Sequence, residues 1–166
     1  MKWLCVLAAS LTLALAFGGQ AFAQIQMTST GTNYGSDAST FSPIDQEHWV
    51  ATTDQMGVRV DDSGKGPFHL ISTDIRLLLF GDKSGVHYHG YYTMADKDGD
   101  KLMWEIWDFP AGSRTGKGKV IGATGKFSGI EGTMDYELMP TPKGFPWGTG
   151  RTIAKEVVKL TLKNPL

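Results

Sequence analysis

Cysteine is nearly absent from this chain. The single one, Cys5, lies in an apolar N-terminal run, and none follows from Gln24 onward. That removes disulfides, thiolate metal sites and cysteine nucleophiles from this region together. A basic surplus is also missing, because 16 Lys and Arg stand against 17 Asp and Glu. Such a balance gives no electrostatic footprint for nucleic acid or for an anionic membrane surface. Apolar runs of signal length are confined to the first residues. No stretch shows an amphipathic helical period with caps. The one rival, Ile153–Leu162, would place Val157 and Leu160 on one helical face, but its T-I, V-V and T-L content favours a strand.

What is present begins with a three-part leader. Lys2 is a short positive start, Trp3 to Phe17 is apolar and uncharged, and Ala21-Phe22-Ala23 is a small-x-small cleavage pattern. Residues 1–23 therefore read as a signal peptide, and the chain is expected to be exported to a periplasm or the extracellular space. The apolar run is short for a membrane span, so no membrane partner is expected after cleavage. Removing Lys2 leaves 15 basic against 17 acidic residues. An exported chain without disulfides relies on its own core or on oligomerisation.

Residues 24–47 are rich in Ser, Thr, Gly and Asn and read as a flexible arm or an edge strand. The folded domain is expected over 48–166. Extended candidates run over His48–Val60, Phe68–Phe80, Val86–Ala95, Lys101–Phe109, Thr133–Met139 and Arg151–Lys163, with Asp61–Pro67 and Gly81–Gly85 as turns. Ala111–Gly118 reads as a Gly-rich basic loop, and Lys119–Ile121 leads into a glycine-punctuated segment. Seven or eight strands with close turn signals predict an all-β barrel or sandwich. Closure would remove exposed strand edges.

Gly85–Trp107 is the densest stretch in chemistry-bearing side chains. Lys97-Asp98-Gly99 fits a three-residue hairpin loop with glycine at the left-handed third position. An EF-hand reading of Asp96, Asp98 and Asp100 fails, since its sixth and twelfth positions hold Lys101 and Trp107. The turn predicts a register: Ala95 opposite Lys101, Thr93 opposite Met103, Tyr91 opposite Glu105 and His89 opposite Trp107. One face then carries His87, His89, Tyr91, Thr93, Met103, Glu105 and Trp107. The other carries Val86, Tyr88, Gly90, Tyr92, Met94, Leu102, Trp104 and Ile106.

Three readings of the mixed face stand open. Glu105, His87, His89 and Tyr91 would form an acid–base cluster in a ligand cavity, since imidazole titrates near neutral pH and burial raises a carboxyl toward it. His87-x-His89 after Gly81 resembles the start of the first cupin motif. The glutamate that motif wants is absent, and no histidine follows His89. Two imidazoles fall short of the three protein ligands usual at a catalytic zinc, and no metal site is assigned. The third reading is a solvated or subunit-facing outer wall.

Val120–Gly132 reads V-I-G-A-T-G-K-F-S-G-I-E-G. A P-loop would need a G-K-[ST] ending and a helix, and neither is here. A tight turn between strands accounts for the glycines. The segment resembles the G-G-T-G-x-F-x-x-A-x-G signature of dirigent proteins and the similar stretch of allene oxide cyclases. Gly122, Thr124, Gly125, Phe127 and Gly132 match, and Ala123 replaces the second glycine. The D-K-D-G-D-K-L hairpin is similar to one in small exported bacterial proteins of the same barrel superfamily.

The resemblance implies an antiparallel eight-stranded up-and-down barrel, often a homotrimer, with an apolar cavity and no cofactor. Dirigent proteins steer coupling of phenoxy radicals, and allene oxide cyclases close a ring in an oxidised fatty acid. The leading expectation is an exported barrel that binds a small apolar or aromatic molecule in its lumen. Met103 and Trp107 are candidate ligand contacts, and Phe145 and Trp147 sit in a Pro/Gly loop suited to a lid. The alternative is a cofactor-independent isomerase or cyclase using Glu105, His87, His89 or Tyr91. A metal-dependent cupin-like enzyme and a purely structural protein complete the field.

Overall fold

The computed structural model describes residues 24–140, 149–162 and 166. Eight antiparallel strands close into one barrel in sequence order, with β8 returning to β1. They are β1 (Ile25–Pro43), β2 (Trp49–Asp61), β3 (Ile71–Asp82), β4 (Gly85–Ala95), β5 (Lys101–Asp108), β6 (Thr115–Ala123), β7 (Glu131–Leu138) and β8 (Thr149–Leu162). Closure leaves no free sheet edge along most of the wall, which is how an all-β chain avoids edge-to-edge association.

The hairpin of β4 and β5 follows the expected register, including Tyr91 opposite Glu105 and His89 opposite Trp107. Gly99 sits at φ +86°, the left-handed position that the three-residue loop requires. Asp96 and Asp100 face each other across it, with the Asp96 amide donating to the Asp100 carbonyl at 3.0 Å.

Two expectations are corrected. Residues 24–47 are not an arm or an edge strand. β1 is 19 residues long and pairs with β2 along one side and β8 along the other. The barrel thus begins at Ile25, not at His48. The reason is visible in the inward positions of β1, which hold Ser29, Gly31, Asn33 and Gly35. A strand whose buried side is small and polar gives no apolar alternation to read. The second correction concerns Ala111–Gly118. β6 starts at Thr115, and its inward Gly116 leaves room for the Tyr136 ring, whose Cζ would lie 2.3 Å from a Cβ there.

One end of the barrel is closed by its own core. The glycine segment folds as a 3-10 turn, Gly125–Phe127, between β6 and β7. It delivers Phe127, fully buried, onto Phe68 from the β2–β3 connection, with ring centroids 5.7 Å apart. Ile71, Met94, Leu102, Ile130 and Leu160 surround this plug. At the opposite end the inward residues Asp37, Ser39, Leu77, Leu79 and Thr152 are only half-buried.

Candidate functional site

The alternation of β4 and β5 decides which face lines the lumen. Tyr88, Tyr92, Met94, Leu102, Trp104 and Ile106 are buried inside. The mixed face lies on the outer wall, as the third reading of the sequence held. The hydrophobic term explains the choice. Burying the aromatic set removes large apolar area from water, while burying the other would strand Glu105 and two histidines.

Outside, the structure brings His89, Tyr91 and Glu105 together. His89 Nε2 lies 2.9 Å from Glu105 Oε1, and the His89 and Tyr91 ring centroids are 6.3 Å apart. Lys119 from β6 adds an ion pair at 2.7 Å to the other Glu105 oxygen. Lys119, then His89, holds the Glu105 carboxyl below the usual carboxylate range. That is the reverse of the raised carboxyl an acid–base cluster in a cavity needs. His87 goes elsewhere: its Nδ1 is 3.2 Å from Asp108 and its Nε2 is 3.1 Å from Ser84 Oγ. The two histidines thus do not share a chelate. Among the described residues no three His, Cys, Asp or Glu side chains form a group able to hold a metal ion. Met103 and Trp107 are half-buried on this same outer wall. Phe145 and Trp147 lie outside the described residues.

The lumen holds a different constellation, drawn from β1, β2, β3, β4 and β8. Arg59 is wholly buried, and its Nε donates to Glu156 Oε2 at 2.9 Å. Tyr92, from the far wall, donates to the same oxygen at 3.4 Å. The other guanidinium nitrogens reach the Phe68 carbonyl at 3.1 Å and Ser29 Oγ at 2.8 Å. Ser29 in turn donates to Asp61. Gly31 makes this possible, since a Cβ there would stand 2.8 Å from Arg59 Cζ.

Above this charged floor lie amides. Asn33 accepts from Thr73 Oγ1 at 3.0 Å, and Gln55 lies flat against Gly35, where a Cβ would be 2.0 Å from Nε2. The lumen is therefore two-sided. Polar groups line much of β1 and β2, joined by Glu156 from β8, while Ile75, Tyr88, Tyr92, Trp104, Ile106, Met134 and Tyr136 line the facing wall.

One guanidinium facing two carboxylates leaves a negative charge to accommodate. Asp61 borders a half-open depression of about 370 Å³ lined also by Met27, Ser63, Lys65 and Pro67. Partial burial opposes its ionisation, but hydrogen bonds from Ser29 and Ser63, with Arg59, outweigh that and bring it to about 2. Glu156 has no such access to water. Burial pushes its carboxyl up to about 7, against the pull of Arg59 and Tyr92. The network thus keeps Asp61 ionised and makes Glu156 the group that gains or loses a proton near neutral pH. Burial also raises the Tyr92 phenol well above its ordinary value, with Glu156 adding to the shift.

None of these lumen residues is among the candidates read from the sequence. One local signal exists. The inward positions of β8 read Thr152, Ala154, Glu156, Val158, Leu160 and Leu162, a lone acid in an otherwise small and apolar series. Arg59 and Gln55 carry no equivalent mark, because both alternating sets of β2 are mixed.

No protein-family model matches the chain, and a search of curated proteins found no match. Solved structures do. The pterocarpan synthase dirigent protein GePTS1 aligns at a TM-score of 0.52 and 12% identity, over 85% of this chain and 88% of its own. The pterocarpan synthase dirigent protein PsPTS1 aligns at 0.54 and 12% identity, over 84% of this chain and 97% of its own. With eight antiparallel strands closed in sequence order, this chain has the barrel fold of the dirigent proteins.

Proposed function

We propose that this protein binds a small apolar or aromatic molecule inside the barrel, admitted at the end opposite the Phe68–Phe127 plug. The observation that carries the reading is the two-sided lumen. An aromatic and aliphatic wall supplies burial, and a few fixed polar groups supply orientation, which is the usual composition of a small-molecule site. Inward Asp37, Ser39, Leu77, Leu79 and Thr152 near the unplugged end are only half-buried, which supports entry from that side. Fold alone does not assign a ligand. The test is a titration of intrinsic tryptophan fluorescence against phenolics and fatty acids, since Trp104 lies in the lumen wall. Saturable quenching or enhancement is expected. A folded protein that does not respond at high micromolar ligand overturns the reading.

A second reading is favoured by one feature, the Glu156 carboxyl placed near neutrality between Arg59 and Tyr92. A carboxyl that is part protonated at pH 7 can both donate and accept a proton, as a cofactor-independent isomerase or cyclase requires. Turnover would then show a pH profile with a limb near 7 that Glu156→Gln removes.

Export and trimer formation belong to the same proposal. Cleavage after Ala23 would leave Gln24 immediately before β1, sparing every strand residue. Intact mass of the secreted product tests this, with Gln24 expected as the first residue. The outer wall exposes Tyr34, Met56, Leu78, Phe80 and Tyr91, area that a homotrimer would cover. Sedimentation equilibrium distinguishes three copies from one.

A further inference from the structure

Cleavage after Ala23 makes a glutamine the first residue, and Gln24 stands at the surface ahead of the first strand. The ladder begins one residue later, with Ile25 opposite Leu162 and Gln26 opposite Thr161. From there β1 is bound to β8 without a break as far as Ala38, and to β2 from Gly31 onward. Chain ends are loose unless a terminal strand is tied into a sheet. Here the tie starts immediately behind Gln24, so the first residue is free while the second is held.

The two neighbouring glutamines differ in what their carboxamides can do. Gln26 lies within the strand, and its Oε1 accepts the Thr161 hydroxyl at 3.2 Å. Its backbone nitrogen is an amide and no nucleophile. Gln24 is exposed and, once the leader is gone, carries the α-amine and the carboxamide on one residue. A free α-amine titrates at about 7.7–8.0, so part of it is free base near neutral pH. Attack on the side-chain carbonyl of the same residue closes a lactam ring and requires no movement of the strand behind it.

We propose that the mature chain carries pyroglutamate at position 24. This rests on the export reading, which supplies the free amine. The Gln24 nitrogen forms a bond to its own Cδ and the Cδ–Nε2 bond breaks. Nε2 leaves as ammonia, taking one proton from the amine. Nothing is oxidised or reduced, and no co-reactant is consumed. A neutral lactam replaces a cationic terminus. An aminopeptidase needs a free amine and a loose leading segment. The lactam removes the first and the β1–β8 ladder removes the second. The leading strand of the barrel is thereby closed to trimming from its start.

The experiment expresses the full chain with its leader, purifies the exported product and holds it at neutral pH before intact-mass measurement and Edman degradation. The mass is expected to lie one ammonia below that of the unmodified chain beginning at Gln24, with Edman degradation blocked. Pyroglutamyl peptidase acting on the denatured product should then expose Ile25. Gln24→Ala keeps the cleavage pattern before it and cannot cyclise. It is expected to give a readable first residue and to lose that residue to an aminopeptidase that leaves the parent unchanged. A product that keeps the full mass and reads as Gln24 overturns the inference while leaving export intact. An uncleaved leader, or a first residue other than 24, overturns the cleavage reading and the inference together.

Discussion

Arg59 and Glu156 are 97 residues apart in sequence and meet at 2.9 Å inside the barrel, joined from β2 and β8 across β1. A buried charge left alone costs about 3–5 kcal/mol. Arg59→Met is therefore expected to destabilise the fold by about that amount in urea unfolding. Replacing both partners, Arg59→Met with Glu156→Leu, should recover part of the loss, because the stranded carboxyl is gone. The double-mutant cycle measures the coupling. Strictly additive losses would mean that the pair is not coupled.

The same carboxyl sets a pH dependence of stability. Glu156 has an ordinary value of 4.5 and sits at about 7 in the fold. Between those values the folded protein holds a proton that the unfolded chain has released. Its contribution is present below about 4.5 and is lost as pH rises through about 7. Asp61 works the other way: brought from 3.8 to about 2, its contribution is present above 3.8 and lost as pH falls toward 2. Stability should therefore peak near pH 4 to 5 as far as these two groups decide it. Glu156→Gln is expected to flatten the decline between 4.5 and 7, which melting temperatures across a pH series will show.

The hairpin was legible in the sequence because its information is local. Lys97-Asp98-Gly99 specifies one loop type, and that loop fixes every pairing up to His89 and Trp107. Which face turned inward was not local, since both sets carry aromatics and the other six strands supply the rest of the core. The lumen site was less legible still. Arg59, Gln55, Asn33 and Glu156 come from three strands whose mutual register depends on closure of the whole barrel. β1 was hidden by its small polar inner side. Histidines drew attention to the outer wall because residue type is visible in sequence and orientation is not.

That outer wall yields a sharp contrast. Glu105 is bound by His89 and Lys119 and faces away from the lumen. Glu105→Gln is expected to leave ligand-induced changes in tryptophan fluorescence intact and to shift the melting temperature little, since exposed ion pairs contribute weakly. Gln55→Met, on the inner wall, should alter the fluorescence titration without exposing new surface. A Glu105→Gln protein that folds normally yet no longer binds would place the site outside the barrel.

The plug gives the last test. Phe127 is fully buried and stacks on Phe68 at 5.7 Å, and the two come from connections on opposite sides of the barrel end. Truncating a buried phenylalanine costs about 3–5 kcal/mol, part of it from the cavity that remains. Phe127→Ala should fall in that range by urea unfolding, with Phe68→Ala comparable. Because the rings touch, the double variant is expected to lose less than the two single losses together. Phe127 stacks on Phe68, whose ring lies 5.9 Å from Arg59 Cζ, so removing Phe127 is expected to loosen this cover and let water reach Arg59 and Glu156. That lowers the burial penalty on the carboxyl and draws its pKa down from about 7. The pH dependence of stability in Phe127→Ala should accordingly be shallower than in the parent protein. A variant with the expected loss of stability but an unchanged pH slope would show that the plug supports the fold without sealing the floor.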